Sequence, residues 1–183
     1  MVTLPMLWLP ILLSAVFVFI ASNIFWMALP FWHHRDYGKI ATSDRIVDAL
    51  VDTPSGQYMV PSHDWNKLTP EERAAFQKRP GGLLLLRNPM QFSIGSALAS
   101  FFILNVVIAV FIAYVCRLSL SAGAPHASVF RVAATAGILA YAFNTVSDSI
   151  WFGKPWLVTV RFIIDGLIYA LLIGTTFAWL WPH

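Results

Sequence analysis

Four stretches of this chain are long, apolar and nearly free of charge, and they limit its fold more than any other feature does. They cover residues 4–32, 91–116, 132–147 and 156–181. A helix rises about 1.5 Å per residue, so roughly 20 apolar residues cross the hydrocarbon core of a bilayer. Each stretch is therefore read as a membrane-crossing helix. Charge is confined to match: of the 12 Lys and Arg, eight lie between residues 33 and 92, as do seven of the nine acids. Charged residues make up 11% of the chain, against about 25% in an ordinary soluble domain. The expected fold is an all-α membrane protein, a four-transmembrane-helix bundle with a small, mostly helical cap inserted between helices 1 and 2. Residues 1–32 form the first helix, 33–90 the cap, and 91–183 helices 2 to 4.

The first stretch does not read as a cleaved leader. Residues 1–9 hold no Lys or Arg, and the apolar run exceeds the roughly 7–15 residues of a signal-peptide core. It is expected to be retained, with a tilt or kink near Pro10. Trp8, Trp26, Trp32, Trp151, Trp156, Trp179 and Trp181 gather at the stretch ends, as an interfacial aromatic belt requires. Arg35, Lys39, Arg87, Lys154 and Arg161 flank one side of the bundle, and Arg117 and Arg131 the other. That bias places loops 33–90 and 148–156 in the cytoplasm and both termini on the periplasmic side.

The basic excess is only +3 and dispersed, so nucleic acid is not an expected partner; the lipid bilayer is. Cys116 stands alone, which rules out an intramolecular disulfide and reads as a small apolar residue near a helix end.

Residues 33–90 are too many for a bare connector. Ile46, Val47, Leu50 and Val51 mark one face of a helix over about 43–52. Thr69-Pro70-Glu71-Glu72 is a helix start, with Thr69 as cap, Pro70 in the first turn and Glu72 placed to bond back. That helix runs over about 70–78 and stops before Pro80-Gly81-Gly82. Residues 57–60 and 83–86 suit short strands that pair with each other; the second, Leu83 to Leu86, equally suits a membrane-surface anchor.

Within lipid, small residues that let backbones approach are the packing signal. Gly166, Ala170, Gly174 and Ala178 recur at four-residue spacing in the last stretch. Ala133 with Gly137, Ala136 with Ala140, and Gly95 with Ala99 offer shorter versions. The fourth helix is expected at the centre, its stripe packed within the chain, with a homo-oligomer as the other way to cover it.

Polar groups inside a membrane are costly and mark candidate sites. Asp165 lies roughly 13 Å into the fourth stretch, with Arg161 one turn shallower, where an i−4 ion pair along the helix is expected. Tyr169 continues that face. Asn144, Ser147 and Asp148 end the third stretch on the same side, and Ser22 and Asn23 end the first there. Asn23, Asn144, Asp148, Arg161, Asp165 and Tyr169 thus form an expected buried cluster in one leaflet, with Lys154 neutralising Asp148. His33, His34 and Asp36 stand just above it; imidazole and carboxylate together suit a transition metal or a proton path. His63 and Asp64 in the cap lack a nucleophile partner. No phosphate loop, dinucleotide fingerprint, nucleophile elbow or lipidation signal occurs, and no catalytic residue is assigned.

His33-His34-Arg35-Asp36-Tyr37, Ser147-Asp148-Ser149-Ile150-Trp151 with Lys154-Pro155-Trp156, and Ile164-Asp165-Gly166-Leu167-Ile168-Tyr169-Ala170 resemble the pattern of a group of uncharacterised bacterial four-helix membrane proteins. The resemblance spans nearly the whole chain. It implies a bacterial inner-membrane setting and no particular activity. Three readings follow from the residues. The first is a non-enzymatic protein whose polar cluster packs the bundle and binds a partner or ion. The second is a small oligomeric transporter or channel using Asp165. The third is a membrane-embedded metal-dependent enzyme using His33, His34, Asp36, Asp148 and Asp165.

Overall fold

The computed structural model describes residues 2–87 and 93–183. It is mostly helical, and four of its helical segments are long and apolar enough to cross a membrane: Leu4–Ala28, Ile94–Ser119, His126–Trp151 and Trp156–Trp179. The expected first residues of the second segment, Gln91 and Phe92, and the expected border at residues 90 and 91 lie outside the described residues. Large apolar side chains, among them Trp8, Leu12, Ile103, Phe111, Leu139 and Leu171, remain exposed on the outer faces. Nothing polar is needed there if hydrocarbon is the solvent.

The first segment opens with a short 3-10 turn and continues as α1, Trp8–Asn23. Pro10 falls in the first turn of α1 and is buried. Helix amides there have no partner within the helix, so the missing N–H costs nothing. A non-α residue, Leu7 (φ −96°, ψ 12°), stands three positions before it, and a second break lies at the other end. A π-helical turn, Ile24–Ala28, gives way at Leu29 (φ −113°, ψ 73°) to α2, Pro30–His33. Leu29 precedes a proline, whose ring disfavours helical backbone at the residue before it. The first apolar segment therefore ends at Ala28, four residues short of the expected Trp32, and α2 turns aside from its axis.

The cap follows as α3, Ser43–Ala49; β1, Gly56–Val60; α4, Pro70–Phe76; and β2, Gly82–Leu86. The two strands pair antiparallel in the register Gly56↔Leu86 to Val60↔Gly82, so Leu83 to Leu86 is a strand. At the head of α4 the Thr69 hydroxyl accepts from the Glu72 amide (3.3 Å), and the Glu72 carboxylate accepts from the Thr69 amide (2.8 Å). Those bonds hold the Glu72 carboxyl below its ordinary value of 4.5. Both helices end two to three residues earlier than their apolar patterns suggest. No residue of α3 is buried; of the face expected from Ile46, Val47, Leu50 and Val51, the last three border an open groove with Leu86.

The remaining helices are α5, Ile94–Ser119; α6, His126–Tyr141; α7, Val146–Trp151; and α8, Trp156–Trp179. The third segment, α6 with α7, has the lowest mean hydropathy, 1.4 against 2.0 to 2.6 for the others, and it is broken at residues 142–145. It also begins earlier than the expected residue 132, directly after Pro125.

Gly166, Ala170, Gly174 and Ala178 are all buried, and the stripe packs on α6 within the chain. A Cβ on Gly166 would lie 2.6 Å from Ala142 Cα, one on Gly174 2.9 Å from Ala134 Cβ, and one on Gly137 3.0 Å from Ala170 Cα. The α6–α8 interface is thus a contact of backbone on backbone. In α5, by contrast, a Cβ on Gly95 would meet only Ser93 Oγ, at 3.8 Å. Gly166→Ala is accordingly expected to destabilise the protein by about 1–3 kcal/mol, read as a lowered unfolding midpoint in detergent, while Gly95→Ala leaves the midpoint within error. Equal midpoints for the two variants would contradict the packing described here.

Candidate functional site

The site lies where α2 meets α8, and the bend at Leu29-Pro30 creates it. Turning the chain aside there brings His33, the last residue of α2, beneath the indole of Trp26. The two rings stack with centroids 4.1 Å apart and planes 11° from parallel, while Phe162 of α8 meets the imidazole edge-on at 5.5 Å. His33 is only 5% exposed, so its polar atoms need protein partners.

Two carboxylates supply them. His33 Nδ1 is 2.6 Å from Asp36 Oδ2, and His33 Nε2 is 2.8 Å from Asp165 Oδ2. The indole N–H of Trp32 donates to the other oxygen of Asp165 at 2.7 Å. Arg161 Nη1 donates to the other oxygen of Asp36. The result is one continuous chain: Trp32, Asp165, His33, Asp36, Arg161. The side chains of Asp36 and Asp165 are 1% and 5% exposed, and that of Arg161 18%. Arg161 and Asp165 stand one turn apart on α8, His33 and Asp36 one turn apart at the end of α2. The pairs form across the two segments, Arg161 with Asp36 and Asp165 with His33.

Valence fixes the charge of this chain. An ionised carboxylate only accepts, and a neutral imidazole has one N–H donor and one acceptor nitrogen. Carboxylates on both ring nitrogens are satisfied together only if the imidazole donates from both, or if one carboxyl carries the proton and donates to the ring. Both descriptions contain the same number of protons. Together with Arg161 they give two positive and two negative charges, or one of each, and zero net charge in either case. Removing that proton would leave one uncompensated negative charge in an apolar setting, where it is costly.

Of the residues expected to cluster, the structure joins Arg161 and Asp165, but through intermediaries. Arg161 does not pair with Asp165 along α8; the flanking His33 and Asp36 take both partners, because they approach the same face of α8 from across the interface. Tyr169 is buried one turn beyond Asp165, as its spacing implies. Asn23 is not in the cluster: its amide donates to its own helix at Phe19 O, 2.7 Å away. Asn144 falls in the break after α6 and is exposed. Asp148 makes no ion pair among the described residues; its carbonyl accepts from the amides of Phe152 and Lys154. Lys154 instead places its ammonium 4.0 Å from the centre of the Phe162 ring. The metal grouping is not formed either. His34 is exposed, the two carboxylates sit on opposite nitrogens of His33, and among the described residues no three His, Cys, Asp or Glu side chains converge as metal ligands.

The sequence does not show the role of Trp32: it reads as a belt residue, and its position one before His33 gives no sign that its N–H turns to Asp165. Nearby, Asn105, fully buried in α5, accepts the Tyr141 hydroxyl of α6 at 2.7 Å. Tyr141 in turn packs edge-on against Tyr169 at 5.7 Å. Beside them a cleft of about 350 Å³ reaches Asp165, bordered by Ser22, Trp26, Tyr141, Asn144 and Tyr169. Ser149 and Thr159 share a hydroxyl bond of 2.5 Å that ties α7 to α8.

Exchanging two charges tests the pairing. If Arg161 and Asp165 were each other's partners, the double variant Arg161→Asp, Asp165→Arg would keep its fold. With the observed partners it sets a carboxylate against Asp36 and a guanidinium against His33. Breaking buried pairs costs about 3–5 kcal/mol, so the double variant is expected to lose most of its folded yield or its unfolding midpoint. A midpoint equal to that of the natural sequence would refute the cross-segment pairing. Comparison of the chain with protein-family models, with curated proteins and with solved structures finds no match.

Proposed function

We propose that the chain is a non-enzymatic, multi-pass protein of a bacterial inner membrane, and that its His33-centred chain is a clasp. The four long apolar segments are taken as a transmembrane bundle, with residues 33–90 forming a cap on the cytoplasmic side. Arg35, Lys39, Arg87, Lys154 and Arg161 at the cap end support that orientation, against Arg117 and Arg131 at the other. The clasp joins the segment that leads into the cap to the fourth span, so the cap leaves the bundle at a fixed angle and can be presented to a partner.

The observation that carries this reading is the completeness of the chain. Its two carboxylates, its imidazole and its guanidinium satisfy one another with no net charge. A buried polar network in this condition fixes geometry, since any other arrangement of the two segments leaves a charge unpaired.

A second reading is favoured by one specific feature, the cleft that reaches Asp165 past Tyr141 and Tyr169. A shared proton at the foot of a cleft is the arrangement a proton or ion path would use, with several copies of a four-helix chain enclosing the route. Reconstitution separates the two. In proteoliposomes carrying a pH gradient, the clasp reading expects proton flux no greater than in empty vesicles. It also expects Asp165→Asn to lower the unfolding midpoint and to quicken protease cleavage within residues 33–42. Flux that disappears in a stably folded Asp165→Asn protein would replace the clasp by the proton path.

A further inference from the structure

On the outer side of the clasp lies a second concavity, of about 550 Å³, bordered by Pro30, Phe31, His34, Arg35 and Arg161. Its polar lining is entirely basic. The carboxylates nearest to this lining in sequence, Asp36 and Asp165, have side chains 1% and 5% exposed, so neither presents its charge at the opening. Arg161 commits one terminal nitrogen to Asp36, its only side-chain partner among the described residues; a guanidinium has five N–H donors, so others remain to meet an oxyanion. Arg35 is exposed and forms no ion pair among the described residues. The His34 ring is exposed on the same rim.

The other half of the lining is apolar. Pro30 and Phe31 form it, and Phe31 is 72% exposed. A pocket with two guanidiniums and an imidazole on one wall and a bare phenyl ring on the other matches a phosphate group attached to a hydrocarbon body. Its level agrees. Pro30 follows the last residue of the first apolar crossing by two positions, and Arg161 lies five residues past the start of the fourth. In the proposed membrane orientation the Arg161 backbone lies about 7 Å inside its span, a depth from which a long guanidinium side chain reaches up to the lipid phosphates, and Pro30 lies at the boundary itself.

We infer that the pocket formed by Phe31, His34, Arg35 and Arg161 binds a phosphate-bearing anion, with an anionic phospholipid headgroup as its source. The lipid source rests on the membrane reading above; the anion chemistry does not. Because Arg161 would hold the phosphate and Asp36 at once, the anion completes a bridge from headgroup to clasp. Phosphate oxygens accept from Arg35 and from the free Arg161 nitrogens, and the Phe31 ring lies along the glycerol and first acyl carbons.

The test uses His34→Ala with Arg35→Gln, since neither residue belongs to the clasp. Purified full-length protein is exchanged into micelles containing equal phosphatidylglycerol and phosphatidylcholine, and retained lipid is counted by native mass spectrometry. The natural sequence is expected to retain phosphatidylglycerol over phosphatidylcholine by about tenfold, the ratio that one lost charge-assisted contact removes. The double variant should bring that ratio near one, with its unfolding midpoint in phosphatidylcholine unchanged. Inorganic phosphate is then titrated in. Retention unaffected by phosphate at 10-fold excess over lipid supports the headgroup as source. Displacement by phosphate in the natural sequence, and none in the variant, supports a soluble phosphate at the same residues. Equal retention of both lipids by the natural sequence with no response to phosphate, or an unchanged preference in the double variant, overturns the proposal.

Discussion

The imidazole of His33 held between two carboxylates is the contact on which the rest of this structure depends. Its ring is reached from both sides by acids belonging to different segments, and each acid is in turn held by a second donor, Trp32 on one side and Arg161 on the other. None of these groups would be stable alone among Trp26, Phe162 and the apolar faces of the helices, because an isolated buried charge is costly. Assembled, they cancel. The interface of α2 with α8 is therefore fixed by charge balance, whereas that of α6 with α8 is fixed by shape, through glycines and alanines that admit the opposing backbone. One helix, α8, carries both devices. Its small-residue stripe runs from Gly166 to Ala178, and its charges lie just before the stripe begins.

The local backbone explains why the balance can be reached. A straight first segment continuing to Trp32 would carry His33 onward along its own axis. The π-helical turn and the Leu29-Pro30 break redirect the chain, and the stacking of Trp26 on His33 holds the ring in the orientation that both acids need. Pro30 is thus the residue that positions the site.

Much of this architecture could be read from the residues. The four apolar segments follow from length and absence of charge. The stripe at Gly166, Ala170, Gly174 and Ala178 follows from its spacing, and the start of α4 from the Thr69 and Glu72 pattern. Pairing Arg161 with Asp165 assumes that a charge finds its partner along its own helix, yet both have partners across the α2–α8 interface, Asp36 and His33. Lys154, expected opposite Asp148, lies instead over the Phe162 ring of the helix that it leads into. Asn23 and Asn144 were grouped by depth alone. Depth does not specify the face of a helix: Asn23 satisfies itself on its own backbone, while Asn144, in a break that periodicity does not mark, still borders the cleft shared with Asp165 and Tyr169. Trp32 and Tyr141, both members of buried hydrogen-bond pairs, read as ordinary aromatics because one N–H or O–H is invisible in a hydrophobic pattern.

The direct measure of the central claim is the coupling between His33 and Asp165. A double-mutant cycle over His33→Gln and Asp165→Asn, with unfolding free energies measured in detergent, isolates the term that exists only when both natural side chains are present. Residues in one buried network couple by roughly 0.5–3 kcal/mol, and a value in the upper part of that range is expected here. Effects of the two substitutions that simply add, within about 0.5 kcal/mol, would show that the two side chains do not share a proton or a bond, and the clasp would not exist.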